Sequence, residues 1–363
     1  MNGQYKALWL NKDENLVVLD QRLLPFEKKE VIITNTQECI DAIKDMTVRG
    51  AGVIGNTAAF GVYLASKEAG FDIEKLKILS NKIRESRPTA VNLMWAVDRM
   101  VAVATTCSKE TMCAVLKQEA INITDEEVIA TQKIATYGAD EFEKIVEKKG
   151  KSKEDTINIL THCNAGWLAI VDLGSALAPI YELQKRGRKV HVWVDETRPR
   201  NQGANLTAWE LSQDNVPHTV IADNTGGYLM QQGMVDICIT GADRVSRNGD
   251  VANKIGTYLK ALSAKDNDIP FFVALPTSTF DFEIYDGVKD IPIETRSEDE
   301  VKFIRGINKK GEIQELQIVQ SVSNAINYGF DITPARLVSG LITQRGITKA
   351  DLKSIEKEFS DLL

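Results

Sequence analysis

The chain has 363 residues, of which 43% are hydrophobic and 26% are charged, and its formal net charge at pH 7 is -7. This length is enough for two domains, each with its own core, and the composition excludes disordered and fibrous proteins. The acidic charge argues against a nucleic-acid-binding surface, although a few local cations suffice to bind a phosphate group. No apolar run approaches the roughly 20 residues that cross a bilayer.

The cysteines and histidines indicate neither a disulfide scaffold nor a metal site. The five cysteines, an odd number, are widely spaced at Cys39, Cys107, Cys113, Cys163 and Cys238. In a sequence without a signal peptide this pattern predicts free thiols and a cytoplasmic protein. The three histidines have no metal-ligand spacing, so we expect no metal.

The N-terminal part changes from a strand pattern to a helix pattern. Residues 6–34 predict three short strands in an antiparallel meander, and from Thr36 to about Lys149 the apolar periodicity is helical. Within it, 49–55 has the G-x-G-x-x-G spelling, but a helix precedes it, which argues against a dinucleotide site. Two interpretations of this stretch stay open: Arg49 and the helix-start amides bind a phosphate, or small residues allow close helix packing.

A second helix start and a charged linker complete this half. Arg87 stands beside Pro88, which we expect just inside the helix start, and a solvated cation is an alternative role for Arg87. The charged, glycine-containing stretch 143–155 reads as a linker. We therefore predict an N-terminal domain over 1–150 and a catalytic domain over 151–363.

The second half alternates strands and helices, with strands expected at 156–161, 189–194, 217–221, 235–240 and 270–275. This alternation predicts a parallel, doubly wound sheet with right-handed crossovers. The fold class is thus α/β: a Rossmann-like C-terminal domain after a smaller N-terminal domain of a short antiparallel sheet plus helices. We also expect a tightly packed helix at 167–180 and a capped helix start at 330–337.

Polar residues follow three of these strands. Cys163 comes after the strand 156–161, Asp243 after 235–240, and the cluster 195–203 after 189–194. The carboxyl ends of parallel strands face one crevice, so Cys163 and Asp243 are expected to meet there. Taken singly, such a cysteine is more often a small core residue and such an aspartate often caps a helix.

Five blocks of the sequence together resemble the methylthioribose-1-phosphate isomerase family. In chain order they are SRPTAVNL at 86–93, THCNAG at 161–166, DETRPRNQGANLTAWEL at 195–211, TGADRVSRNGDVANKIGTY at 240–258 and ITPARL at 332–337. The resemblance extends over nearly the whole chain. It implies an α/β enzyme with no cofactor and no metal, usually a homodimer.

The resemblance also implies roles for individual residues. By matched motif, the catalytic pair is Cys163 in THCNAG and Asp243 in GADR. The implied substrate-binding residues are Arg49, Gly50, Ala51, Arg87, Gln202, Asn253 and Lys254. Among these, Asn253 and Lys254 are expected to bind the phosphate, a role suited to an ammonium group.

The implied activity is conversion of 5-methylthioribose 1-phosphate to 5-methylthioribulose 1-phosphate, in methionine salvage and so in amino-acid biosynthesis. The partner is then a phosphorylated pentose, with no nucleic acid and no membrane. The alternatives are isomerisation of 5-deoxyribose 1-phosphate, isomerisation of ribose 1,5-bisphosphate, and a regulatory sugar-phosphate-binding subunit like those of the translation initiation exchange factor.

Two stretches depart from the usual wording of the family. The family usually reads RGAPAIG, where this chain has Gly52 and Val53 in the middle of 49–55, and the loop 223–227 also differs. We expect both stretches near the 5-substituent of the sugar. They are the reason for keeping the 5-deoxyribose alternative.

The chemistry explains why an acid and a thiol are needed. The 1-phosphate blocks opening to a free aldehyde, so a group must protonate the ring oxygen while hydrogen moves from C2 to C1. A buried carboxyl with a raised pKa suits the acid, here Asp243. Cys163, partly thiolate if it lies near a helix start, is expected to take the C2 proton or to stabilise the developing charge. Proton transfer and a direct hydride shift both fit the sequence.

Overall fold

The computed structural model describes residues 6–70, 72–87 and 90–363. Its N-terminal strands are β1 (Leu8–Leu10), β2 (Leu16–Leu19) and β3 (Glu30–Ile33). They form the predicted antiparallel meander, in the order β1-β2-β3. The first turn is tight because the side chain of Asn11 accepts hydrogen bonds from the amides of Asp13 and Asn15.

The region from Thr36 to about Lys149 is helical, as the periodicity predicted. Its described residues form α1 (Thr36–Lys44), α2 (Ala51–Ala69), α3 (Ile73–Arg84), α4 (Val91–Thr106) and α5 (Met112–Lys148). Asn35 and Asp72 cap α1 and α3 with their side chains. Helix α2 is buried along most of its length, which explains its nearly continuous apolar sequence. Pro88, predicted inside a helix start, lies outside the described residues, and α4 begins shortly after it.

The remaining strands are β4 (Ile157–Thr161), β5 (Val190–Asp195), β6 (His218–Ile221), β7 (Ile237–Thr240), β8 (Arg244–Ser246), β9 (Val251–Lys254), β10 (Phe271–Ala274), β11 (Phe280–Asp281), β12 (Phe303–Ile307), β13 (Ile313–Gln317), β14 (Phe330–Thr333), β15 (Gly340–Thr343) and β16 (Gly346–Thr348). The remaining helices are α6 (Ala178–Lys185), α7 (Ala208–Gln213), α8 (Thr225–Gln231), α9 (Thr257–Asp266), α10 (Gly287–Asp290), α11 (Asp299–Lys302) and α12 (Leu352–Glu358). A single π-helical turn, Gly203–Thr207, runs directly into α7.

The main sheet has seven strands in the order β16-β15-β10-β7-β4-β5-β6. All of its pairings are parallel except that of β16 with β15. This confirms the predicted Rossmann-like sheet. The three strands followed by polar segments, β7, β4 and β5, are neighbours at its centre, so their carboxyl ends meet at one edge.

A smaller four-stranded sheet, which the sequence did not predict, has the order β11-β8-β9-β14, and β12 and β13 form a separate hairpin. It corrects the helix start expected at 330–337. Phe330–Thr333 is a strand that pairs antiparallel with β9, which places Phe330 opposite Lys254. Pro334 therefore ends a strand, and only a short 3-10 turn follows it.

The helix expected at 167–180 is also wrong over most of its length, since α6 begins only at Ala178. The chain before it folds back in turns, with Asp172 and Gly174 in the left-handed region at φ 66° and 78°. The amide of Ser175 donates to the carbonyl of Ala165 at 2.9 Å and closes the loop. The small residues of this stretch serve close backbone packing rather than a helix.

Three apolar cores hold these elements together. The first joins the meander to α1–α4 and extends along α5 as far as Val128. The second packs Ile134 to Val146 of α5 against one face of the main sheet, and the third covers the opposite face. Since α5 contributes to both halves of the molecule, the domain boundary at residue 150 stays a prediction. Among the described residues, no helix is both long and apolar enough to span a membrane.

Candidate active site

Cys163 and Asp243 lie where neighbouring parallel strands end. Thr161 of β4 is in register with Ile239 of β7, and each candidate follows its strand directly. Cys163 has φ +65°, a left-handed conformation that two threonines hold in place. Its amide donates to Thr197 Oγ1 at 2.8 Å, and its carbonyl accepts from Thr207 Oγ1 at 2.6 Å. The thiol is thereby turned toward a cavity.

We call this the strand-end cavity; it offers about 560 Å³ of free space, open solvent at its mouth included. Every site residue expected from the sequence lines it. The complete lining is Met46, Arg49, Gly50, Ala51, Arg87, Cys163, Asn164, Ala165, Ala169, Ile170, Ser175, Gln202, Gly241, Ala242, Asp243, Asn253, Lys254, Arg296 and Phe330. The proximity of the predicted residues is thus a structural fact, whereas their catalytic and binding roles stay predictions.

Burial favours the protonated forms of both central groups. It raises the pKa of the Asp243 carboxyl, although Lys254, Arg87 and Arg49 lower it. It also raises the pKa of the Cys163 thiol, against the lowering effect of Arg49 and Lys254. The expected partial thiolate is therefore not the form of Cys163 that burial favours. The thiol donates a weak hydrogen bond to Gln202 Oε1 at 3.6 Å.

Two buried cations lie beside this pair. The Arg49 guanidinium donates to the side-chain oxygen of Asn164 and, at 2.8 Å, to its carbonyl. Lys254 donates to the carbonyl of Gly329 at 3.0 Å, and its ammonium lies 5.0 Å from the centre of the Phe330 ring. Burial lowers the pKa of Lys254, while the neighbouring Cys163 and Asp243 raise it.

Gly50 and Ala51 reach the cavity through the start of α2. Gly50 precedes the helix with φ +89°, and a β-carbon on it would lie 2.4 Å from the α-carbon of Ala169. Only glycine fits both the conformation and the close approach. The first-turn amides of a helix have no partner within the helix, so this turn can bind an anion.

Arg87 belongs to a charge network that the sequence did not reveal. Its guanidinium lies 3.6 Å from the carboxylate of Glu294, which also pairs with Arg296 at 2.8 Å. Arg296 pairs in turn with Glu300 at 2.7 Å. Neither Glu294 nor Arg296 lies in a recognisable motif. The sequence could not indicate them, because only the folding of the whole chain brings their loop to the cavity.

The sequence did not indicate two further residues near the cavity, Asn164 and Glu210. Asn164 lines the cavity, and Glu210 is its hydrogen-bond partner. Glu210 accepts hydrogen bonds from the Asn164 side chain at 2.9 Å and from the amides of Trp167 and Leu168. Burial raises the pKa of Glu210 to about 7 in spite of these bonds. Both residues lie inside blocks quoted above, but only the fold shows that they connect Arg49 to α7.

His162, Asp195 and Asp223 place their ligand atoms within 4.8 Å of one another, the one such group with metal-ligand potential among the described residues. A cation of the chain already lies there, since Lys260 Nζ is 3.2 Å from Asp195 Oδ2 and also donates to the carbonyl of Asp223. His162 bridges Asp195 and the carbonyl of Ile255, at 2.8 and 2.9 Å. The group therefore acts as a structural brace beside Cys163.

The residues at which this sequence differs from the usual motifs of the family do not line the strand-end cavity. Neither Gly52 and Val53 nor any residue of 223–227 is part of its lining. Asp223 instead accepts hydrogen bonds from the amides of Thr197 and Arg198, which fixes the segment after β5. Arg49, Gly50 and Ala51 of the first stretch do line the cavity, so the expectation that both stretches lie near the sugar's 5-substituent stays a prediction.

Fold and cavity together define an α/β protein with a carboxyl, a thiol and several cations at the carboxyl edge of a parallel sheet. Residues 47–350 match the initiation factor 2 subunit family. The chain belongs to this family and, within it, to the methylthioribose-1-phosphate isomerases.

Relatives of both kinds are similar over their full length. Methylthioribose-1-phosphate isomerase of Sulfurimonas denitrificans is 59% identical over 99% of each chain. The crystal structure of 5-methylthioribose 1-phosphate isomerase from Pyrococcus horikoshii is 37% identical, with a TM-score of 0.84 over 99% of this chain and 96% of that one. A structure described as translation initiation factor eIF-2B, subunit delta, from A. fulgidus is 36% identical, with a TM-score of 0.81 over 98% of this chain and 100% of that one.

Proposed function

We propose that this protein isomerises 5-methylthioribose 1-phosphate to 5-methylthioribulose 1-phosphate, in methionine salvage and hence in amino-acid biosynthesis. The observation that carries the proposal is the meeting of Cys163 and Asp243 in one cavity that also contains buried Arg49 and Lys254. The names of the relatives support the choice of substrate.

Asp243 is the acid in this proposal. Its raised pKa keeps a proton available, and that proton passes to the ring oxygen as the bond from C1 to this oxygen breaks. Cys163 faces C2, and its protonated thiol stabilises the charge that forms as hydrogen moves with its electron pair from C2 to C1. The C2 hydroxyl then returns a proton to Asp243, which leaves the ketone at C2 and restores the acid. Gln202 orients the thiol through its hydrogen bond.

The phosphate lies at the start of α2. The amides of its first turn, at Gly50 and Ala51, and the cations of Arg49 and Lys254 together supply donors and positive charge to a dianion. Asn253 helps to position Lys254, since its side chain donates to Thr257 Oγ1 at 3.0 Å and so fixes the end of β9.

The lining favours the methylthio sugar over its alternatives. Met46, Ile170 and Phe330 supply an apolar wall that suits a thioether. The further cations Arg87 and Arg296 are both paired with Glu294, which argues against a second phosphate and so against ribose 1,5-bisphosphate. A 5-deoxy sugar lacks the methylthio group that this apolar wall suits, which favours the methylthio sugar over it.

Turnover of all three sugar phosphates by the purified protein, followed by proton NMR, tests this function. We expect kcat/KM to be highest for the methylthio sugar. A preference for 5-deoxyribose 1-phosphate or ribose 1,5-bisphosphate would change the assigned substrate. No turnover of any of them would favour the regulatory alternative, for which the likeness to the A. fulgidus protein is the supporting observation.

We further propose that the protein is a cytoplasmic homodimer. All five cysteines are free, which suits a reducing compartment. Exposed apolar side chains on β6, α8 and α9, namely Val220, Tyr228 and Leu259, offer a surface for a second copy. Light scattering coupled to size-exclusion chromatography should give twice the mass of the chain, and a monomer at micromolar concentration would contradict the dimer.

A further inference from the structure

A second cavity, the rear cavity, lies on the other side of the first turns of α2, between the N-terminal helices and the main sheet. It offers about 500 Å³ of free space, open solvent at its mouth included. Its lining is Gly52, Gly55, Asn56, Asn92, Trp95, Ile123, Glu126, Glu127, Ala130, Pro276, Thr277, Ser278 and Gln344. The proposed chemistry uses none of these residues.

The rear cavity contains a carboxyl group without a cationic partner. Glu127 Oε2 accepts hydrogen bonds from Asn56 Nδ2 at 2.7 Å and from the amide of Val171 at 3.3 Å. Within the described ranges, no lysine, arginine or histidine pairs with Glu127, whereas its neighbour Glu126 is held by Arg99 at 2.6 Å. Burial raises the pKa of Glu127 to about 7. Near neutral pH the carboxyl is therefore only partly ionised, and at about pH 8 it is mostly ionised.

A buried amide oxygen beside this carboxyl also lacks a donor. Asn56 is 2% exposed, and its Nδ2 donates both to Glu127 and to the carbonyl of Gly52. Its Oδ1 accepts no hydrogen bond from any described group. A buried acceptor without a donor is destabilising, so the site calls for a ligand that donates.

Gly52 links this arrangement to the particular sequence of the chain. A β-carbon at Gly52 would lie 2.4 Å from Glu127 Oε1, closer than any real contact. Any side chain at this position would displace the flexible Glu127 carboxyl from the place that it has here. The absence of a side chain at Gly52 thus leaves room for Glu127 at the wall of the rear cavity.

Apolar side chains form the other walls. Ile123, Ala130 and Pro276 line the cavity, and the Trp95 indole is 39% exposed, with Arg99 over its ring at 5.5 Å. We propose that the rear cavity binds a small primary alkylammonium ion, which donates N–H groups to Glu127 Oε1 and Asn56 Oδ1 and packs its alkyl carbons against the apolar walls. A positive charge with several donors is the group that an ionised carboxyl and an unpartnered amide oxygen both accept.

This site is separate from the proposed isomerase reaction, and binding tests it without any measurement of turnover. Isothermal titration of the full-length protein with n-propylammonium chloride at about pH 8, where Glu127 is mostly ionised, should show saturable binding at one site. The neutral probe 1-propanol should bind at least about tenfold more weakly, because it lacks the charge. Potassium chloride should not compete at equal concentration.

Variants locate the binding. Glu127→Gln should weaken n-propylammonium binding by about tenfold or more. The matched control Glu119→Gln, on the same helix but outside the rear cavity, should bind like the parent. Asn56→Ala, checked for folding by circular dichroism, should also bind more weakly and provides a second test if Glu127→Gln does not fold.

Any one of the following binding results would overturn the proposal. They are no saturable binding by the parent protein, equal binding by the parent and both cavity variants, and equal binding of 1-propanol. Displacement of the ammonium by potassium would make this a metal-ion site and would equally reject the organic ligand. Loss of turnover with binding intact would leave this inference standing and would count only against the proposed isomerase function.

Discussion

At the scale of single residues, charge and burial compete around Asp243. Lys254, Arg87 and Arg49 each lower the pKa of its carboxyl, yet burial raises that pKa overall. The same competition keeps the Cys163 thiol protonated. Desolvation is thus the larger effect for both groups. A general acid benefits from this, because it must hold its proton until the ring opens.

Removing either central group should abolish catalysis without unfolding the protein. We expect Cys163→Ser and Asp243→Asn to lower kcat by about a thousandfold or more, since each removes a group that acts on the sugar itself. Circular dichroism should show an intact fold. Cys113→Ser and Asp290→Asn, both outside the cavity, are the matched controls. Turnover within tenfold of the parent in either active-site variant would contradict the assigned roles.

Lys254 should act on binding more than on chemistry. Lys254→Met keeps the length of the side chain but removes the charge, and we expect KM for the sugar phosphate to rise by about 10- to 100-fold, which corresponds to roughly 1.5–3 kcal/mol. The exposed cation Lys189, replaced by Met, is the control and should leave KM unchanged. A large fall in kcat with an unaltered KM would mean that Lys254 takes part in the chemistry instead.

At the scale of elements, each strand end or helix start at the cavity is fixed by partners distant in sequence. The start of α2 is an example, because the amide of Val53 donates to the carbonyl of Ala169 at 2.9 Å. The loop before α6 and the phosphate-binding turn proposed here are thus held as one unit. Backbone contacts of this kind leave no room for a side chain at Gly50.

The two ends of α2 offer a matched pair of substitutions. Gly50→Ala adds a β-carbon 2.4 Å from the α-carbon of Ala169, whereas Gly70→Ala meets nothing within 4 Å, and both glycines have positive φ. We expect Gly70→Ala to lower the free energy of unfolding by about 1 kcal/mol and Gly50→Ala by clearly more. Gly50→Ala should also raise KM for the sugar phosphate. Equal losses of stability in urea denaturation would show that the close approach to Ala169 is unimportant.

At the scale of the whole molecule, α5 connects the two halves. Its first part belongs to the N-terminal core, and Ile134 to Val146 pack against the main sheet. A fragment of residues 151–363 would expose the sheet face that this part of α5 covers. We expect this fragment to be insoluble or unfolded and a fragment of residues 130–363 to be more soluble and more stable. Equal behaviour of the two fragments would support an independent domain that begins at residue 151.

Glu127 should make global stability depend on pH. Its folded-state pKa is raised from 4.5 to about 7, so the folded state holds the proton more tightly than the unfolded state does. The contribution of Glu127 to the free energy of unfolding is therefore fully present below about pH 4.5. It falls as the pH rises from 4.5 to 7 and is lost above that range. Folding raises the pKa of Glu127 by about 2.5 pH units, which corresponds to at most about 3 kcal/mol in the free energy of unfolding.

Replacing this residue tests that dependence. Between about pH 4.5 and 8, Glu127→Gln should lose less of its free energy of unfolding than the parent protein does, as measured by urea denaturation at each pH. Glu126→Gln, a neighbouring carboxylate paired with Arg99, should follow the parent. A Glu127→Gln profile parallel to that of the parent would show that this carboxyl does not titrate as expected.

The sequence by itself determined the class of fold and the meeting of Cys163 and Asp243 at the strand-end cavity. Alternating apolar runs and helical periodicity depend on local burial, so β4, β5, β6, β7 and β10 were predictable. Residues that follow parallel strands share an edge whatever the details of the loops. Cys163 and Asp243 could therefore be expected together before any coordinates.

Only the tertiary structure decided features that depend on contacts between distant segments. The strand Phe330–Thr333 exists because β9 is its partner, and the chain before α6 forms turns because its backbone packs against Gly166 and α2. Arg296 and Glu294 reach the strand-end cavity from a loop without a motif, and the divergent Gly52 faces the rear cavity instead. Local patterns encode which face of an element is buried, whereas the partner that buries it is set by the packing of the whole chain.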